Sequence, residues 1–145
     1  MVELTERQFS YSDIKILLGN STENIKAGVT QEMLDALQDY SDARTWLHGD
    51  IVIGCGGVIL YEGNKCEAWS IINKEYAMKF KRELLVGAKR FLDKMAIKHG
   101  IKYMLATWQV DFDPKIKWLE HLGFTKEDKM VSYNKDVSYV YSRSF

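Results

Sequence analysis

The apolar positions change rhythm along the chain, and each change predicts an element. From Tyr11 to Leu18 they recur at helical spacing behind a Ser10-x-x-Asp13 start, and Gly19-Asn20 ends the segment. Met33, Leu34 and Leu37 predict a second short helix over Gln31–Leu37. The polar stretch Asn20–Thr30 between them predicts a loop. Val2–Leu4 suggests a short first strand. The middle of the chain reads differently. Ile51–Leu60 is a near-continuous, β-branched apolar run, as expected of a strand covered on both faces. Tyr61-Glu62-Gly63-Asn64 is a turn signal, and Cys66–Ile72 follows as the second arm of an antiparallel hairpin. Thr45–His48 adds a strand just before it.

The clearest helix spans Lys79–Lys98. Phe80, Leu84, Ala88, Phe91, Leu92, Met95 and Ala96 form one stripe, Lys and Arg fill the other face, and His99-Gly100 closes it. Ile101–Trp108 is then a strand. Asp113 and Pro114 suit the cap and first turn of a short helix carrying Ile116, Leu119 and Leu122, which stops at Gly123. Phe124 opens a strand-like segment. Val131–Tyr133 and Val137–Tyr141 alternate with period two around an Asn134-Lys135-Asp136 turn. The order β-α-α-β-β-β-α-β-α-β-β predicts an α/β fold. Its sheet is mixed but mostly antiparallel, with helices on both faces and a central strand–helix–strand crossover.

No repeat, low-complexity tract or Pro/Ser-rich linker divides the chain, so residues 1–145 are expected to form one domain. With 145 residues, 46% of them hydrophobic, it can build a core, which excludes wholesale disorder. No apolar run approaches the ~18 residues of a membrane span, and the start lacks the pattern of a signal peptide. Cys55 and Cys66 cannot frame a disulfide scaffold and suit a reducing, cytoplasmic setting. They could be neighbours across the hairpin, but without a His cluster they make a poor metal site, and no metal is expected.

Twenty basic residues balance twenty acidic ones, which argues against general nucleic-acid binding. The balance is uneven along the chain. Met1–Asp50 holds nine acidic and four basic residues, whereas Glu75–Lys102 holds eight basic and three acidic. The basic segment is either a solvated helix face or a place that holds an anion.

The element order, taken with Trp118-Leu119-Glu120-His121-Leu122-Gly123-Phe124, resembles the GCN5-related N-acetyltransferase (GNAT) superfamily. That family carries a short helix reading roughly Leu-Tyr-Glu-Lys-Leu-Gly-Phe, matched here at Glu120, Leu122, Gly123 and Phe124. The resemblance covers roughly Val2 to Tyr141. It implies acetyl-CoA between the Cys66–Ile72 and Ile101–Trp108 strands, with the pantetheine arm along Ala68, Trp69, Ser70, Ile71 and Ile72. Trp69 and Trp108, on the two strands flanking the central helix, read first as core anchors, and one of them could line that cleft. The family holds the pyrophosphate on a Gly-rich loop opening the long helix. Aligned through Leu84-Leu85, that motif begins at Tyr76, and its two small positions are Lys79 and Lys81. The glycines are absent, so the charges of Lys79, Lys81 and Arg82 would have to serve.

The resemblance also implies a general base on the strand before the helix. Glu67 is a carboxylate there, either a base acting through water or a hairpin carboxylate without that role. The family's acid Tyr is replaced by Leu119, leaving Tyr133 as a substitute hydroxyl, and its frequent Asn by Phe112. Three functional positions depart together. Lys79-Phe80-Lys81-Arg82, Leu119 and Trp69 also resemble short GNAT-like proteins of short-tailed bacteriophages, some of them internal virion proteins. Two expectations follow. One is a GNAT-fold accessory protein with a degenerate acetyl-CoA motif, found in the host cytoplasm or virion and acting on a protein partner. The other is an N-acetyltransferase acting on a primary amine.

Overall fold

The computed structural model describes residues 4–18, 30–109, 118–133 and 136–145. In chain order the elements are β1 (Thr5–Gln8), α1 (Tyr11–Leu18), α2 (Gln31–Tyr40), β2 (Ser41–His48), β3 (Ile51–Tyr61) and β4 (Lys65–Ile72). There follow α3 (Lys74–Lys79), α4 (Lys81–His99), β5 (Tyr103–Gln109), β6 (Thr125–Tyr133) and β7 (Asp136–Ser144). Residues 118–121 are also helical. The strands form one seven-stranded sheet in the order β1-β2-β3-β4-β5-β7-β6. β4 and β5 pair parallel, joined by the α3–α4 crossover, and the other recorded pairs are antiparallel. The expected α/β fold with a mixed sheet is what the chain adopts.

Two apolar clusters cover the two faces. Leu84, Phe91, Leu92 and Met95 of α4 pack with Trp46, Ile53, Val58, Met104 and Phe124. Ile14 and Leu17 of α1 and Leu34 and Leu37 of α2 pack with Ala43, Val52 and Cys55 on the other side. A bulge sets which β3 residue goes where. Trp46 pairs with Gly54 and Leu47 with Val52, so Ile53 is one residue too many. It resets the alternation, and Ile53, Gly54, Gly56 and Val58 share the α4 face.

Several boundaries differ from the sequence expectation. Val2 and Glu3 lie outside the described residues, Leu4 is not in a strand, and the first strand is Thr5–Gln8. Its four polar residues show no apolar alternation; pairing with Leu47–Arg44 of β2 holds them extended at the sheet edge. α2 continues to Tyr40 and is capped by Thr30, whose hydroxyl accepts from the Met33 amide at 3.1 Å. The expected loop before Thr30, the Asp113-Pro114 helix start with Phe112, and the Asn134-Lys135 turn lie outside the described residues.

The long helix does not begin at Lys79. Asn73 caps α3 by accepting from the Glu75 and Tyr76 amides at 3.1 and 3.4 Å. Phe80, at φ −114° and ψ 29°, then interrupts the run before α4. Its ring is buried against His48 and Tyr76, with centroids 4.9 and 6.2 Å apart, so burial of one aromatic fixes the break. At the other end Gly100, at φ 62°, takes the left-handed position that closes α4, as its sequence suggests. Gly123 likewise has φ 93° after the 118–121 turn. The two thiols prove not to be neighbours. Cys55 stands opposite Ile71 and Cys66 opposite Leu60, in different clusters, and burial raises both pKa values, Cys66 to about 11. Among the described residues no helix is long and apolar enough to cross a membrane.

Candidate functional site

The sheet parts at its centre. β4 and β5 stay in register from Lys65↔Tyr103 to Ala68↔Ala106, and no pairing between them is recorded beyond that point. Both strands continue, each held by its outer neighbour. β4 runs on to Ile72 against Gly54 of β3, and β5 to Gln109 against Ser138 of β7. The backbone of Trp69–Ile72 therefore has an edge facing a cleft in mid-sheet, and a strand edge is a ready partner for an extended amide-bearing ligand.

Beside this point lies a cavity of about 160 Å³ between the sheet and α4. Gly54 and Gly56 of β3, Ala68 of β4 and Ala106 of β5 border it, with Ala88 and Phe91 of α4 among the facing residues. Leu119, Leu122 and Phe124 border it as well, and among the described residues no charged one does. Gly54 and Gly56 are small for a further reason. A Cβ on Gly56 would meet the Trp69 carbonyl oxygen at 2.8 Å, and one on Gly54 would meet Ile72 Cγ1 at 3.2 Å. They let β3 approach β4 closely.

The sequence-predicted residues fall in separate places. Ser70 and Ile72 border the cavity. Trp69 borders it too, but its indole is committed elsewhere: the ring packs edge-on to Phe9 at 5.2 Å and its N–H donates to Ser41 Oγ at 2.7 Å. Ile71 joins the same α1/α2 cluster. Glu67 precedes the parting point by one residue, in register with Ile59 of that cluster, and accepts from the Tyr61 hydroxyl at 2.9 Å. Trp108 and Tyr133 belong to β5 and β6, opposite Tyr139 and Asp136, and their side chains lie outside the described residues. Leu119, where the sequence resemblance would put an acid Tyr, is buried beside the cavity and has no proton to give.

Lys79, Lys81 and Arg82 are exposed around the α3–α4 junction. Lys79 lies over the Phe80 ring, 5.6 Å from its centroid. The Asn73 side chain already occupies the first amides of α3, and Phe80 offers α4 no side-chain cap. Any anion here meets side-chain charge rather than a cradle of glycine amides. Sequence reasoning missed Gly54, Gly56, Ala88 and Ala106 as cavity residues. The available signal was three glycines within four residues of an otherwise β-branched strand.

No family model and no curated protein matches the chain by sequence. Solved structures do match by shape. Ard1 from Thermoplasma volcanium superposes with a TM-score of 0.78 at 18% identity, covering 97% of each chain. A GNAT-family acetyltransferase from Bacillus anthracis gives 0.71 at 16% identity, covering 99% of this chain and 96% of its own. A Bacillus subtilis acetyltransferase in complex with CoA gives 0.71 at 12% identity, covering 99% of each chain. The chain has the GNAT fold.

Proposed function

We propose that the protein binds an acyl-CoA in the cleft between β4 and β5 and transfers its acyl group to a primary amine. The parting of the two strands after Ala68 and Ala106, beside an apolar cavity, carries this reading. It agrees with the fold, which is shared with an acetyltransferase solved with CoA. Acetyl-CoA is the first candidate donor. It supplies an activated thioester: the amine nitrogen bonds to the acyl carbon, the carbon–sulfur bond breaks, and CoA leaves as the thiol.

The chain's own residues divide the work. The backbone of Ala68–Ile72 holds the pantetheine amides, and Trp108 flanks them on β5. Lys79, Lys81 and Arg82 hold the pyrophosphate by charge alone. Glu67 takes the amine proton through water, and Tyr133 returns one to the thiolate. No metal enters this scheme. Calorimetry with CoA and acetyl-CoA tests the binding half: micromolar affinity that Lys79→Glu with Lys81→Glu weakens at least about tenfold is expected. No heat at millimolar cofactor sinks the reading. Glu67→Gln is expected to leave that affinity in place and to lower thiol release with an amine panel.

A second reading is favoured by Leu119 beside the cavity and by the capped α3 in place of a Gly-rich loop. In it the chain is a non-catalytic GNAT-fold accessory protein of phage type, acting on a protein partner in the host cytoplasm or virion. The phage likeness rests on sequence resemblance alone. CoA binding without thiol release from any amine would favour this reading.

A further inference from the structure

The cavity is larger than an acetyl group needs. Protein interiors leave few voids bigger than a water molecule, and a void of about 150 Å³ with apolar walls stays dry and takes a ligand the size of benzene. This one measures about 160 Å³, and among the described residues no charged one borders it. It begins at the parting point, since Ala68 and Ala106 are both the last paired residues of β4 and β5 and part of its lining. Trp46 and Phe91 line both this cavity and a second, outer groove. Their rings meet edge-on at 5.7 Å, and the Trp46 indole lies against Gly87 of α4. Alanines at 68, 88 and 106 add little bulk to its walls.

The geometry points to a short apolar acyl chain of about four to six carbons, rather than acetyl, as the group this cavity receives. The inference rests on the acyl-CoA reading above and names its donor class. The thioester lies at the parting point of β4 and β5, and the chain runs from there under α4 toward Trp46. Each methylene moved from water into such a cavity strengthens binding about fourfold, so butyryl-CoA gains about tenfold or more over acetyl-CoA and hexanoyl-CoA gains further. A space of about 160 Å³ is filled by about six carbons, so the gain stops there.

Calorimetric titration of the full chain with CoA, acetyl-, butyryl-, hexanoyl- and dodecanoyl-CoA tests this. The expected result is hexanoyl-CoA bound at least about tenfold tighter than acetyl-CoA, with no further gain for dodecanoyl-CoA. Ala88→Leu and, as a second variant, Ala106→Val are expected to bring the hexanoyl-to-acetyl ratio close to one. Equal affinities for acetyl- and hexanoyl-CoA overturn the chain-length assignment and leave the acyl-CoA reading intact. A gain that continues through dodecanoyl-CoA, or a ratio unmoved in both variants, overturns it too, because the chain then sits elsewhere. Absence of binding by every thioester and by CoA overturns both.

Discussion

The two faces of the sheet are built on opposite plans. On the α1/α2 face, polar groups are buried and paired. The Asp13 carboxylate, 3% exposed, accepts two bonds from Arg7 at 2.7 and 2.9 Å, one from Thr45 at 2.7 Å and one from the Ser10 amide at 3.2 Å. Trp69 is bonded to Ser41 on the same side. Gly57 brings β3 so near β2 that a Cβ there would lie 2.5 Å from the Ala43 Cβ. On the α4 face the cluster is built mainly of apolar side chains, and the space they leave includes a cavity of about 160 Å³. A buried polar group is costly unless every bond is made, so the first face tolerates little change. A void costs lost contacts but strands no polar group, so the second face can hold space for a ligand. One sheet thus keeps its rigid side and its open side back to back.

This contrast can be broken from either side. The largest effect is expected from Gly57→Val, whose side chain collides with Ala43 and the Asp42 backbone oxygen. Loss of about 3 kcal/mol or more, or no folded protein at all, should appear in chemical denaturation. Asp13→Ala comes next. It takes the acceptor from the buried Thr45 hydroxyl and the Ser10 amide and unties Arg7, and about 2 kcal/mol should be lost. A value below about 0.5 kcal/mol would show that this face is not held by its polar network.

Smaller again is the acid sensitivity of Asp42, which ties β2 to the end of α4. Burial pushes its pKa up, but bonds from Lys98, His99 and Arg44 outweigh that and hold it down at about 2. A depressed carboxylate contributes stability above its unfolded pKa of about 4, and loses it as pH falls toward its folded value. Asp42→Asn is therefore expected to cost about 1–2 kcal/mol at pH 7 and nearly nothing at pH 2, read from denaturation curves at the two pH values. Asp13, also lowered despite its burial by its bonds to Arg7 and Thr45, adds to the same acid limb. The smallest and opposite effect belongs to the cavity. Ala88→Leu should leave stability unchanged or raise it by up to about 1 kcal/mol, since it fills a void. A loss like that of Gly57→Val would mean that the α4 face is packed as tightly as the other.

The elements whose cause is local were legible in the sequence. The β-branched run Ile51–Leu60 sits in β3, the stripe from Leu84 to Ala96 faces the sheet, and Gly100 closes α4. β2 was foreseen from Thr45 to His48 alone. Its first half, Ser41–Arg44, carries no β-branched residue and is strand because of its partners, with Asp42 tied to Lys98 and His99. The start of α3 did have a local signal, Asn73 before an acidic first turn, which the stronger stripe from Phe80 onward obscured. Ser70 and Ile72, named from the sequence, border the cavity because they lie on one strand. Ala88 and Ala106 were not named, since nothing in a lone alanine says that it borders a space.

The sequence by itself therefore determined the order and type of most elements, the mixed sheet and the likeness to the GNAT fold. Periodicity, glycine stops and turn residues act over a few positions and can be read along the chain. The tertiary structure decided where β4 and β5 separate, which side chains of β4 face which helix, and that a void lies under α4. Register and packing between distant segments set those features. A bulge at Ile53, an aromatic wedge at Phe80 and the close approach of Gly57 to Ala43 are properties of pairs, and no single stretch of sequence contains both partners.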